Sequence, residues 1–182
     1  MNASVLETAN ERDVLRHQEK VELTRNLLSL NDVAFNKIIH RIESFQVAVP
    51  SWALGTGGTR FGRFPAGGEP GNLEEKIEDV GLIHHVTRAT NSISLHIPWD
   101  IPRDTAAIQQ LLAKNGLTID SVNSNTFQDQ SDQKYSYKFG SLCHTDDHIR
   151  QQAVDHNIEV VEHGIKLNSN VLTVWLADGS NF

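Results

Sequence analysis

Hydrophobic residues along this chain fall into two alternating patterns, short continuous runs and longer stretches in which they recur at helical spacing. The stretches predict helices that begin after the capping residues Asn72, Asp104 and Thr145. The short runs predict four strands, at residues 45–49, 92–96, 119–122 and 171–176. Pro50 is expected to end the first of these strands. Strands that alternate with helices in this way predict a parallel sheet with right-handed crossovers.

Each of these three helices carries one apolar face that is expected to cover the sheet. The faces consist of Leu73, Ile77, Val80 and His84 in the first helix, Ile108, Leu111 and Leu112 in the second, and Ile149, Ala153, Val160 and Gly164 in the third. The second helix is expected to stop near Gly116.

Two further helices are predicted before the first strand. One covers about residues 10–30, with an irregular apolar stripe at Val14, Val21 and Leu28. Asn31 is the expected cap of the other helix, which carries Ala34, Ile38 and Ile42 at helical spacing. The chain is therefore divided into a helical segment at 1–44 and an α/β domain at 45–182.

Four strands of this kind suit either a doubly wound sheet or the first half of a (β/α)8 barrel. In both architectures the carboxyl ends of the strands form the active site. Large or polar residues follow every predicted strand: Trp52, then His96 and Trp99, then the polar loop 123–127, then Trp175 and Asp178. Each of these residues, taken singly, is also compatible with a core position, but their coincidence at four strand ends predicts one pocket.

Residues 51–64 combine four glycines with aromatic and basic side chains. Glycine allows a close backbone approach to a ligand, while Arg60 and Arg63 supply fixed cationic donors. The segment lacks the Gly-Lys-Ser/Thr ending of a phosphate-binding loop. It is expected to cover a ligand such as a sugar, and a purely structural glycine loop stays open as the alternative.

Composition and charge indicate which binding partners and which cellular compartment suit the chain. The chain has 182 residues and a formal net charge of -7, which argues against nucleic acid or an anionic membrane as its main partner. It contains no run of about 18 apolar residues and opens on a charged stretch instead of a signal peptide. Cys143 is its only cysteine, so no internal disulfide forms and a cytoplasmic setting is expected.

Four runs carry a family resemblance. They read Gly-Thr-Gly-Gly-Thr-Arg-Phe-Gly at 55–62, Ser-Leu-His-Ile-Pro-Trp-Asp at 94–100, Lys-Phe-Gly-Ser-Leu at 138–142 and Leu-Thr-Val-Trp-Leu-Ala-Asp-Gly-Ser-Asn-Phe at 172–182. In this order and spacing they resemble the bacterial L-rhamnose isomerase family, which belongs to the xylose-isomerase-like TIM barrels. The resemblance extends over about residues 47–182.

The resemblance implies an aldose–ketose isomerase that moves hydrogen between C1 and C2 of an open-chain monosaccharide, such as L-rhamnose. It implies two divalent metal ions, Mn²⁺ or Mg²⁺, which polarise the reacting oxygens. It also implies a homo-oligomer, which is a tetramer in the complete family members.

The resemblance further assigns roles to individual residues. His96 matches a histidine that hydrogen-bonds a sugar oxygen and assists ring opening, and it is the candidate catalytic residue. Phe61 matches a loop aromatic that enters a neighbouring subunit's pocket. The candidate substrate-binding residues are Trp52, Phe61, Trp99, Phe127 and Trp175.

This sequence departs from the family pattern in two respects. Xylose isomerases pair the histidine with an aspartate three residues on, whereas here that position is Trp99 and the carboxylate is Asp100, which either orients His96 or caps the turn before Pro102. In addition, the family's metal ligands belong to later strands of the barrel. His144 and His148 have the four-residue spacing of a helical ligand pair, but the aspartates between them suit the first turn of a helix, so no metal ligand is assigned.

The sequence is therefore expected to be an inactive N-terminal fragment of a sugar isomerase. Two other interpretations stay open. One is different chemistry on the same barrel, such as a sugar epimerase or a metal-dependent hydrolase, and the other is a non-catalytic half-barrel module.

Overall fold

In a computed structural model, the chain is described at residues 3–30, 34–55, 58–59, 62–63 and 67–176. Its helices are α1 (Ala3–Ser29), α2 (Phe35–Glu43), α3 (Leu73–Thr87), α4 (Thr105–Lys114) and α5 (Asp147–Lys166). Its strands are β1 (Ala48–Pro50), β2 (Gly58–Thr59), β3 (Gly62–Arg63), β4 (Ser92–Ile97), β5 (Thr118–Thr126) and β6 (Leu172–Leu176).

The main sheet has four parallel strands in the order β1-β4-β5-β6, so neighbours in space are also neighbours along this part of the chain. Strands β2 and β3 pair separately as an antiparallel hairpin. A doubly wound sheet reverses its strand order and covers both faces with helices. The unreversed order is that of a β/α barrel, and it confirms the predicted fold class.

Strand β4 shows how the sheet divides into a helix-covered face and a polar face. Ile93, Leu95 and Ile97 alternate along it and belong to one buried cluster with apolar residues of α3, α4 and α5. Ser92, Ser94 and His96 point to the other face, and they too are buried. The polar face is thus enclosed, as the interior of a barrel is.

The caps of two helices are as predicted. Asn72 Oδ1 accepts a hydrogen bond from the backbone N–H of Glu75, and Asp104 Oδ1 accepts from those of Ala106 and Ala107. Helix α4 ends at Lys114 before Gly116, which has a left-handed φ of 66°.

The predicted cap of α5 is wrong. Asp146, not Thr145, occupies the N-cap, where its carboxylate accepts from the backbone N–H of His148. Thr145 lies one residue before this cap, so the helix begins one position later than expected. The predicted inward face of this helix is confirmed for Ala153, Val160 and Gly164, which are buried.

Two strand predictions also need correction. Strand β1 begins at Ala48, not at residue 45, and includes Pro50; β1 pairs with β4 alone among the described residues, so a missing N–H is tolerated on its other edge. Strand β5 continues through residues 123–126, which were predicted as a polar loop. These polar side chains are buried, and those of Asn123 and Thr126 bond to neighbouring strands.

The N-terminal helices differ from expectation in their ends. Helix α1 begins at Ala3 instead of near residue 10, and the predicted cap Asn31 lies outside the described residues. Helix α2 begins at Phe35 with Ala34 in the N-cap position, and its buried residue is Phe35, while Ile38 and Ile42 are exposed. No helix in the described part of the chain is both long enough and apolar enough to cross a membrane.

Strand β6 lies where it was predicted, but its apolar side chains are more exposed than expected. It occupies 172–176, yet Val174, Trp175 and Leu176 are exposed. The reason is that β6 pairs only with β5 in the described part of the sheet, so its apolar side chains are covered from one side.

Candidate functional site

The carboxyl ends of the four parallel strands meet at one pocket. Its lining consists of Trp52, His96, Trp99, Phe127 and Trp175. Trp52 lies in a 3-10 turn directly after β1, His96 lies near the end of β4, and Trp99 lies in the turn that follows. Phe127 is the first residue after β5, and Trp175 lies in β6. The structure thus brings together five of the six predicted site residues.

The His96 imidazole is enclosed by aromatic rings and is only 2% exposed. It stacks on the indole of Trp99, with ring centroids 3.8 Å apart and planes at 17°. Trp52 approaches it edge-on at 5.7 Å, and Phe127 does so at 6.0 Å. The histidine therefore forms the floor of a pocket whose other lining residues are all aromatic.

Trp175 forms the opposite wall and is oriented by a polar residue inside the sheet. Its ring lies 6.3 Å from that of Trp52 and 5.8 Å from that of Phe127. Its Nε1 donates to Oδ1 of Asn123 at 3.1 Å, and the Asn123 amide donates to the backbone carbonyl of Leu95 at 2.8 Å. One asparagine side chain on β5 thereby contacts both neighbouring strands.

A buried carboxylate lies directly behind His96. Asp100 is 1% exposed, and Oδ1 of its carboxylate accepts from Nζ of Lys76 at 2.7 Å. Its Oδ2 accepts from Oγ of Ser51 at 2.5 Å and from the backbone N–H of His96 at 2.8 Å. Asp100 therefore joins α3, the turn after β1 and the end of β4, and it does not act as a simple cap for the turn before Pro102.

Two members of this group, Ser51 and Lys76, were not predicted as site residues. For Lys76 the sequence carries a signal, because it falls on the apolar face of α3 between Leu73 and Ile77. A lysine at such a position needs an anionic partner if it is buried. Nothing in the sequence indicates that this partner is Asp100.

The described residues of the pocket do not fit a two-metal centre. They offer aromatic rings and one imidazole, and the nearest buried carboxylate, Asp100, already binds three donors. No group of three or more His, Cys, Asp or Glu side chains suited to a metal ion occurs within the described ranges. The two histidines with the spacing of a helical ligand pair also have separate contacts. Nδ1 of His144 accepts from the backbone N–H of Asp146, while His148 stacks on Tyr135.

The glycine-rich loop is described only in part. Gly55 has a φ of 114°, and a Cβ there would lie 2.6 Å from Cβ of Glu69, so this position requires glycine. Arg60, Phe61 and Asp178 lie outside the described residues. The predicted role of Phe61 in a neighbouring subunit's pocket stays a prediction.

Comparison with known proteins gives two relatives, and no family model matches the chain. The chain is 47% identical over 184 residues to a probable sugar isomerase of Rhizobium meliloti, an alignment that covers 100% of this chain and 42% of that protein. It is 50% identical over 169 residues to a probable sugar isomerase of Mesorhizobium japonicum, which covers 90% of this chain and 39% of that protein. The chain thus spans about two fifths of the length of the curated relatives it matches.

Proposed function

We propose that the pocket binds a monosaccharide and serves an aldose–ketose isomerase, with L-rhamnose or a related aldose as substrate. The observation that carries this proposal is the meeting of His96 with four aromatic rings at the ends of four strands. The names of the two relatives support the sugar isomerase class. Their similarity covers a minority of each relative, so the activity of a complete protein is itself part of the proposal.

The residues of the pocket suit a sugar in distinct ways. Aromatic faces pack against the apolar C–H face of a sugar, which is the role we assign to Trp52, Phe127 and Trp175. His96 carries the polar ring nitrogens of this enclosed surface, and we assign it the hydrogen bond to the ring or terminal oxygen. In that position the imidazole can hold or pass the proton that moves when the sugar ring opens.

A divalent metal ion, Mn²⁺ or Mg²⁺, belongs to the proposed isomerisation, in which it would supply Lewis-acid polarisation of the substrate oxygens. We assign it no ligand among the described residues. Their share of the reaction in this proposal is to bind the sugar, to exclude water and to handle a proton at His96.

We also propose that the chain self-associates, as the resemblance implies. Phe61 would then reach the pocket of a second subunit. Light scattering on the purified chain tests this directly, and a monomer at all concentrations would remove self-association from the proposal.

Sugar binding can be measured without a label, because the chain has three tryptophans and all three line the pocket. Titration with L-rhamnose should change the intrinsic fluorescence with saturation in the micromolar to millimolar range. Phe127→Ala should weaken this response, whereas Phe139→Ala should not, since Phe139 is an exposed aromatic outside the pocket. An unsaturable response, or equal loss in both variants, would oppose a sugar site here.

Isomerisation is best tested in a chimera in which residues 1–182 replace the matching part of the Rhizobium meliloti relative. With Mn²⁺ present, ketose formation from L-rhamnose is expected in the chimera and in the intact relative. His96→Gln should reduce the rate, and His17→Gln, at an exposed position on α1, should leave it unchanged. An active relative with an inactive chimera would contradict the proposal.

A further inference from the structure

The buried group formed by Ser51, Lys76 and Asp100 lies outside the pocket lining but touches it at two points. We infer that this group, here called the carboxylate clamp, is a positioning unit that fixes the orientation of His96 and of the two indoles beside it. Its effect on sugar binding rests on the proposed function, whereas its effect on the His96 ring does not.

Asp100 closes the turn after β4 in two ways. Its backbone N–H donates to the carbonyl of His96 at 2.9 Å, and its Oδ2 accepts from the backbone N–H of His96 at 2.8 Å. Trp99 lies within this turn and stacks on the imidazole at 3.8 Å. The carboxylate therefore determines where the backbone of His96 lies and how Trp99 meets its ring.

The carboxylate clamp also connects this turn to another wall of the pocket. Ser51 donates to the same Oδ2 at 2.5 Å, and the next residue is Trp52, whose ring edge meets His96 at 5.7 Å. Lys76 anchors the carboxylate to α3 at 2.7 Å, and both side chains of this ion pair are almost fully buried. A shift of Asp100 would move Trp52 and His96 relative to each other.

Only a carboxylate satisfies all three donors of the clamp. Oδ1 binds an ammonium group, while Oδ2 accepts from a hydroxyl and an amide N–H. Asparagine would turn an NH₂ group toward at least one of these donors. The site therefore requires the charge of Asp100 as well as its shape.

The experiment observes the His96 ring by two-dimensional ¹H–¹³C NMR, with His96→Gln used to assign its signal. Three variants test the clamp: Ser51→Ala, Asp100→Asn and the double variant Lys76→Met with Asp100→Leu. The double variant replaces a buried ion pair with apolar groups, a change that is often neutral or stabilising, so it separates folding from positioning. Ser51→Ala keeps the ion pair and tests the link to Trp52 alone.

All three variants are expected to shift the His96 ring signal. The double variant should also weaken L-rhamnose binding by about tenfold, an effect like that of removing a residue that hydrogen-bonds to a metal ligand. Asp104→Asn is the control, because Asp104 caps α4 outside the pocket. An unchanged His96 signal in Ser51→Ala and in the folded double variant would overturn the inference. A shifted signal without any sugar binding in the parent chain would uphold the clamp and count against the proposed function.

Discussion

The indole of Trp175 and the side-chain amide of Asn123 form a hydrogen bond of 3.1 Å between neighbouring strands at the pocket wall. Asn123 is 2% exposed and also donates to the carbonyl of Leu95 at 2.8 Å. The indole N–H therefore has a fixed acceptor. This arrangement sets the angle at which Trp175 faces Trp52 and Phe127.

Asn123→Leu should destabilise the protein by about 1–3 kcal/mol, because it removes a partner from the buried carbonyl of Leu95 and from the indole N–H of Trp175 without replacing it. The free energy of unfolding is measured by urea denaturation, followed by circular dichroism. A double-mutant cycle with Trp175→Phe tests the assignment. If the effects of the two substitutions simply add, the hydrogen bond contributes nothing measurable.

Residues 123–126 show why part of the site escapes prediction. Alternating apolar residues reveal a strand that packs against helices on one face, as in β4. In β5 the same strand continues with Asn, Ser, Asn and Thr, whose burial depends on partners such as Trp175 that are distant in sequence. The order of elements and the pocket-lining aromatics were predictable from the chain, whereas the polar partners that orient them were not.

Gly164 on α5 should be intolerant of a side chain. A Cβ at this position would lie 2.9 Å from Cγ2 of Val122 on β5. Gly164→Ala is therefore expected to cost about 1–3 kcal/mol through overpacking, despite the better helix propensity of alanine. Thermal unfolding measures the loss.

Val122→Ala in the same chain removes the opposing methyl groups and provides the matched test for Gly164. The double variant should be less destabilised than the sum of the two single variants. Gly67→Ala is the control, because a Cβ there meets no atom within 4 Å. Strict additivity would show that helix α5 moves away from the strand at little cost.

The cap of α5 makes a third prediction. Asp146→Ala should destabilise the protein by about 1 kcal/mol, because the backbone N–H of His148 loses its acceptor. Thr145→Ala should leave the free energy of unfolding nearly unchanged. Equal effects of the two substitutions would contradict the assigned cap.

The ambiguity between Thr145 and Asp146 has a local cause. Both residue types cap helices well, and they are adjacent in sequence. In the structure a turn closed by the Ser141 carbonyl and the backbone N–H of His144 precedes the helix, and Asp146 supplies the capping carboxylate. Element type could be predicted here, but the first helical residue could not.

His84 on α3 should make the protein less stable in acid. Burial in the folded chain lowers the pKa of His84 below its usual 6.5, and the charges of Arg88 and His85 add to this effect. The unfolded chain then binds the proton more readily than the folded chain. Protonation of His84 therefore favours unfolding, and its penalty grows as the pH falls through the unfolded pKa and levels off below the folded one.

His84→Gln should consequently flatten the loss of stability on acidification. The measurement is the free energy of unfolding in urea at about pH 7.5 and about pH 5.5, above and below the ordinary histidine pKa. The parent chain should lose more stability between the two conditions than the variant does. His17→Gln, at an exposed position on α1, should retain the pH dependence of stability seen in the parent chain. If the His84→Gln profile ran parallel to the parent's, His84 would not be the source of that pH dependence.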